Sequence, residues 1–267
     1  MCYLDWKKNS RAIEDLTLLI EKNPLHRKIA YIVLSIAYRR SNDYLGSLRT
    51  LSRGIMHFPK YPEAYQARGQ LYIFGRKFDK ALCDFRTAQR LQPDLGHNYL
   101  GIGDSLKCIG NYHGALKEYS KAIEIDPHCK LQGLLKRGRL YYLMKYYDYA
   151  LGDFDELLSV SENNPKAFLF KGLIYKKQDK MPDAVLFFEQ VMKHHSEDQQ
   201  LAGTALFEIA KIRVAQRDFY EANFNLKRAA YLKFRSKKMQ VYKIFTDGVI
   251  DLMKRKTASG VKILSQL

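Results

Sequence analysis

A structural zinc site needs thiolates and imidazoles in closely spaced pairs. The four cysteines, Cys2, Cys83, Cys108 and Cys129, stand far apart, and none belongs to a C-x-x-C pair. They read as reduced thiols in core or surface positions, which implies an intracellular setting. His194-His195, beside Glu197 and Asp198, is the densest group of potential ligands. Neighbouring residues on a helix point about 100° apart, so the two imidazoles do not easily share one metal. They read as a solvated helix end, and His128-Cys129, after Pro127, reads as a turn. Gly101-Ile102-Gly103 opens like a dinucleotide fingerprint, but no strand precedes it. Structural spacing explains it better. The chain has no G-x-x-x-x-G-K-S/T loop, no H-E-x-x-H and no G-x-S-x-G. These residues predict no catalysis, no metal and no cofactor.

The elements that hold these residues are set by an internal period. A small residue followed four positions later by an aromatic or leucine recurs along the chain. The series is Ala12/Leu16, Ser47/Leu51, Ala81/Phe85, Ala115/Tyr119, Ala150/Phe154, Ala184/Phe188, Ala222/Leu226 and Gly260/Leu264. Successive small residues lie 35, 34, 34, 35, 34, 38 and 38 apart. A second small residue stands twelve before the first: Ser35, Gly69, Gly103, Gly138, Gly172 and Ala210. Prolines close several units at Pro24, Pro59, Pro93 and Pro127. The physical reading is a pair of short antiparallel helices, repeated. Small residues let two helices approach closely, and the aromatics fill the groove between them. Proline stops the second helix. Asn42-Asp43-Tyr44, Asn111-Tyr112 and Arg217-Asp218-Phe219 supply polar turns between the helices, each with an aromatic to anchor the next helix.

These marks resemble the tetratricopeptide repeat (TPR) family. Gly69-Gln70-Leu71-Tyr72 followed by Phe78-Asp79-Lys80-Ala81 carries the resemblance, as does Gly103 through Gly110-Asn111-Tyr112-His113-Gly114-Ala115 to Ile125-Asp126-Pro127. The resemblance implies an all-α, right-handed superhelical solenoid of helix-turn-helix repeats, read as a single domain over 1–267. Full repeats are expected at 28–61, 62–95, 96–129, 131–164, 165–198 and 203–236. A partial repeat at 1–27 matches only the end of a first helix and a whole second helix, and Trp6 is expected to pack beneath it. Two degenerate helices are expected within 237–267, one over Val241–Met253 and part of another from Gly260. The extra residues at Gln199–Ala202 predict a longer, mobile loop.

In such an array the first helices line a concave face, and residues not used for packing are free for recognition. The expected partner-binding residues are Arg39, Arg40, Gln66, Gln70, Lys107, Arg139, Tyr142, Lys176, Lys177 and Lys211. Their mixture of basic and apolar neighbours suits an extended or helical peptide with acidic groups and apolar anchors. One TPR subclass grips the C-terminal carboxylate of heat-shock chaperones with lysines and asparagines. The matching places here hold Ile32, Ile36, Gln66, Ala67, His97 and Gly101, so that activity is not expected.

The net charge of +17 predicts an acidic partner. Much of it is concentrated in Lys227, Arg228, Lys233, Arg235, Lys237, Lys238, Lys243, Lys254, Arg255 and Lys256. That basic patch is either a solvated face or a contact for an acidic surface. No stretch approaches eighteen apolar residues, so no membrane span is expected, and the N-terminal residues lack the pattern of a signal peptide. The expected function is a non-catalytic protein-interaction scaffold within a larger, cytoplasmic assembly, with attachment to a microtubule or cilium as a narrower version. The alternatives are a regulatory subunit of an enzyme complex or RNA binding. The latter would need base-reading residues at one recurring position. Ile36, Gln70, Asp104, Arg139, Leu173 and Lys211 occupy it and form no code.

Overall fold

The computed structural model describes residues 2–23, 28–194, 198–234 and 236–264, with side chains for 10–23, 28–194, 198–234 and 236–255. Among these residues all regular structure is helical. The α-helices are α1 (Cys2–Lys22), α2 (Lys28–Arg40), α3 (Tyr44–His57), α4 (Pro62–Phe74), α5 (Phe78–Leu91), α6 (Gly96–Ile109), α7 (Tyr112–Ile125) and α8 (Lys130–Leu143). They continue with α9 (Tyr147–Val160), α10 (Pro165–Lys177), α11 (Met181–His194), α12 (Gln199–Ala215), α13 (Phe219–Tyr231) and α14 (Lys237–Leu264). The fold is all-α, with helices packed in consecutive pairs.

The chain divides within α8 into two compact units, residues 1–137 and 138–267. In the first unit each helix from α1 to α7 packs on the next, and α4 also touches both α2 and α6. In the second, α9 to α14 pack in the same order, and α12 also touches both α10 and α14. First helices therefore stack on first helices within each unit, which builds a continuous side-chain face across neighbouring repeats.

The close approach of paired helices follows from the small residues. A Cβ placed on Gly69 would lie 2.9 Å from the Phe85 ring, and one on Gly103 only 2.5 Å from Tyr119. Gly138 and Gly172 meet Phe154 and Phe188 in the same way, at 2.9 and 2.7 Å. Each ring comes from the residue sixteen positions later, on the second helix. Phe85, Tyr119, Phe154 and Phe188 are fully or almost fully buried, as are Leu51 and Leu226 at the same position in their repeats. Burial of one such side chain contributes about 1.5–3 kcal/mol.

The turns follow the polar residues. Asp43 accepts a hydrogen bond from Gly46 N at 2.7 Å and Asn111 from Gly114 N at 2.9 Å. Asp218 accepts from Glu221 N at 3.1 Å. Each caps the N-terminus of a second helix. The residue just before the cap position adopts a positive φ: Asn42, Arg76, Lys145, Asp179 and Arg217 between 56 and 64°, and Gly110 at 95°. Only one of these six is glycine, so five turns hold an L side chain in the left-handed region, which costs about 1 kcal/mol each.

Three expectations fail at the ends and at the insertion. Residues 2–22 form one uninterrupted helix rather than parts of two. Residues 237–264 likewise form one helix of 28 residues, running through the place where a turn was expected. Neither residues 2–22 nor 254–258 contain glycine or proline, so nothing interrupts the i to i−4 hydrogen bonds. Gln199–Ala202 are not a loop but the first turn of α12, capped by Asp198, which accepts from Leu201 N at 3.0 Å. The side chain of Trp6, together with Arg27 and His195–Glu197, lies outside the described residues.

Candidate binding face

The expected binding residues divide into those consumed by the stack and those left to solvent. Gln66 on α4 donates to Asn98 Oδ1 on α6 at 2.7 Å. Asp104 on α6 accepts from Lys136 Nζ on α8 at 2.6 Å, with Lys107 Nζ 3.7 Å away. Lys176 on α10 reaches Glu208 on α12 at 2.8 Å, and Lys211 pairs with the same carboxylate. These three links each join residues 32 apart, so they are rungs between successive first helices. Lys211 also lies over the Phe207 ring. Arg139 covers Phe170 at 5.3 Å, and Tyr142 packs between Tyr147 and Phe170. Burial pushes the Tyr142 hydroxyl up from its ordinary pKa, with the Tyr147 and Glu208 charges acting in the same direction. It stays protonated at neutral pH.

Arg39, Arg40, Gln70 and Lys177 remain. All four are exposed and make no hydrogen bond or ion pair among the described residues. Arg39 and Gln70 border a small groove between α2, α3 and α4, with a cavity volume of ≈ 120 Å³. Ile32, Ile36, Ala67 and Leu71 provide its apolar lining. A groove with an apolar lining and an arginine at its edge can seat an apolar side chain and pair a neighbouring carboxylate. A wider hollow of ≈ 470 Å³ along α5 is lined by Asp79, Leu82 and Arg86 among others, all from that one helix.

The basic patch is spread over α13, the following turn and α14. Lys227, Arg228, Lys233, Lys237, Lys238, Lys254 and Arg255 are exposed, and Lys243 is half-buried. Arg228 lies over the Phe224 ring at 5.5 Å. Arg235 and the Lys256 side chain lie outside the described residues. Lys237 and Lys238 open α14, whose first turn holds no acidic residue. Cations there oppose the helix dipole, so helix stability does not account for them.

The structure also brings together a group that sequence spacing conceals. His97, Asp126 and Cys129 place potential ligand atoms within 4.8 Å of one another. His97 and Cys129 are 32 residues apart, and only the stacking of repeats joins them. The Cys129 thiol donates to Asp126 Oδ2 at 3.2 Å and lies 3.1 Å from His97 Nδ1. Asp126 also accepts from Gly96 N at 3.1 Å and His128 N at 2.9 Å. Burial pushes the Asp126 carboxyl up, but the bonds from Cys129, His128 and Gly96 outweigh it and hold the carboxyl below its ordinary pKa. Burial, with Asp126 adding to it, pushes the Cys129 thiol up to about 12. A protonated thiol and a carboxylate fully engaged with backbone N–H groups form a hydrogen-bonded clasp between repeats. The trio has the donor set of a metal site, but its hydrogen bonds account for its geometry.

Comparison with known proteins agrees with this architecture. Residues 62–95 and 96–129 match the family model of the tetratricopeptide repeat. Human Tetratricopeptide repeat protein 13 is 27% identical over 172 residues, covering 62% of this chain and 19% of that protein. Anaphase-promoting complex subunit 3 of Schizosaccharomyces pombe is 22% identical over 202 residues, covering 63% of this chain and 30% of that protein. The chain thus spans less than a third of either relative. The crystal structure of a tetratricopeptide repeat protein from Parabacteroides merdae shares the fold, with a TM-score of 0.69 at 20% identity, covering 91% of this chain and 94% of that one. No helix among the described residues is long and apolar enough to cross a membrane. Residues 62–129 thus match two tetratricopeptide repeats, and the described helices share the all-α, paired-helix fold of a solved tetratricopeptide-repeat structure.

Proposed function

We propose that the chain is a non-catalytic scaffold within a larger assembly, holding an acidic protein segment with apolar anchors against α2 and α4. The observation that carries this reading is the apolar groove bordered by exposed Arg39 and Gln70, which have no hydrogen-bond or ion-pair partner among the described residues. Arg40 adds a second cation at the end of α2. Most other cations of the first-helix face are engaged by neighbours, so specificity concentrates on this one region. Likeness to an anaphase-promoting complex subunit supports a role inside an assembly. A narrower reading, attachment to an acidic cytoplasmic filament such as a microtubule of a cilium, rests on the basic balance and on a general resemblance to axonemal TPR proteins. RNA binding is the weaker reading, because the face shows no recurring set of base-reading side chains.

Crosslinking mass spectrometry in native extract tests the proposal. The intact chain is expected to give reproducible crosslinks to acidic protein segments at low salt. Arg39→Glu/Arg40→Glu is expected to remove them. Crosslinks that survive this charge reversal unchanged would place the partner elsewhere.

A further inference from the structure

Six times in this chain a small residue on a first helix is matched by a bulky residue sixteen positions later on the second. The pairs are Ser35/Leu51, Gly69/Phe85, Gly103/Tyr119, Gly138/Phe154, Gly172/Phe188 and Ala210/Leu226. The bulky member is buried to 2% exposure or less in all six. Gly248 on α14 stands in the same register, twelve before Gly260. A Cβ on Gly248 would meet nothing within 4 Å among the described residues. It is an unfilled socket.

The surface around it has the character of an interface. Val241, Ile244, Phe245 and Leu252 are exposed by 65, 74, 50 and 62%. With Gly248 they share one face of the helix at i, i+3/4, i+7 and i+11 spacing. The opposite face buries Met239, Thr246 and Ile250 against the preceding helices. Lys237 and Lys238 lie exposed at the start of the same helix. Of its two acidic residues, Asp247 is held by Asn223 at 2.8 Å. A second helix docking here would meet an apolar stripe, a glycine socket and positive charge.

We propose that the exposed face of α14 docks an acidic amphipathic helix of a partner protein, seating a phenylalanine, tyrosine or leucine on Gly248. This surface shares no residue with the groove at Arg39, and the proposal does not rest on that groove. The chain itself contains a helix of the required chemistry. α9, Tyr147–Val160, carries Asp148, Asp153, Asp155 and Glu156 and no lysine or arginine, and its Phe154 fills the Gly138 socket.

A labelled synthetic peptide of residues 147–160 therefore serves as the probe, titrated with the intact chain by fluorescence anisotropy. Saturable binding is expected. Gly248→Leu, which fills the socket, should weaken it by at least about tenfold, and Lys237→Glu/Lys238→Glu should weaken it as well. Leucine at an exposed helical position favours the helix over glycine, and thermal melting checks that the variant is folded. Absence of saturable binding, or equal binding to Gly248→Leu, would overturn the proposal. So would a dimer of the intact chain in sedimentation that disappears in Gly248→Leu, since the occupant would then be a second copy.

Discussion

Cys129 shows how a residue's chemistry is set by the stack rather than by its own surroundings in sequence. A thiol ordinarily ionises near 8.5, but burial and the Asp126 carboxylate hold this one up to about 12. Its protonated form is favoured in the folded chain, so the stability this provides is present below the unfolded thiol's pKa and is lost as pH rises toward 12. Cys83 and Cys108 are exposed. At pH 8.5, iodoacetamide should alkylate Cys83 and Cys108 quickly and Cys129 only on unfolding, as read by peptide mass spectrometry. Asp126 behaves oppositely. Its carboxyl lies below its ordinary value, so its contribution is present above the unfolded pKa and fails as pH falls through the folded one. Asp126→Asn should reduce the acid sensitivity of the melting temperature near pH 3–4. The clasp was hidden from the sequence because His97 sits 32 residues from Cys129, and spacing rules detect only neighbours along one segment.

Among the helices, the same residue type has opposite effects according to what faces it. At Gly103 a Cβ would press on the Tyr119 ring at 2.5 Å, so Gly103→Ala should destabilise by about 1–3 kcal/mol. At Gly248 a Cβ would meet nothing within 4 Å among the described residues, so Gly248→Ala should stabilise α14 by about 0.5–1 kcal/mol. Urea unfolding of both variants gives the two signs. A second contrast concerns charge. Asp84 is buried at 4% exposure and receives two hydrogen bonds from Arg68, both at 2.8 Å. Arg68→Met strands that carboxylate and should cost about 3 kcal/mol, much of it recovered in Arg68→Met/Asp84→Leu. The pattern of small and bulky residues made the helix pairs legible. The turns were legible where Asp43, Asn111 and Asp218 cap them. The positive φ at Arg76, Lys145 and Arg217 was not, because tertiary burial of the second helix imposes it on residues with no preference for it. The continuity of α1 and α14 is not legible from the period for the complementary reason: the repeat marks recur there, yet no glycine or proline in residues 2–22 or 254–258 interrupts the helix.

Across the molecule, the surplus of positive charge is divided between cations that hold repeats together and cations that face solvent. Lys136 and Lys176 bind carboxylates on neighbouring first helices. Their half-buried pairs should resist salt better than contacts made by exposed Arg39, Arg40, Lys237 and Lys238. Raising salt from about 0.05 to 0.5 M should therefore weaken partner binding strongly while moving the melting temperature little. By residue type alone the cations of the first-helix face are equivalent. Gln66, Arg139, Tyr142 and Lys176 instead have partners one repeat away, a fact that depends on stacking and not on residue type.

The most direct test of the scaffold claim is affinity capture from native extract with the intact chain, after nuclease treatment, against Arg39→Glu/Arg40→Glu. The account predicts a reproducible set of protein partners that survives nuclease and is lost in the variant. Capture that vanishes on nuclease treatment, with bound RNA as the species recovered without it, would contradict it.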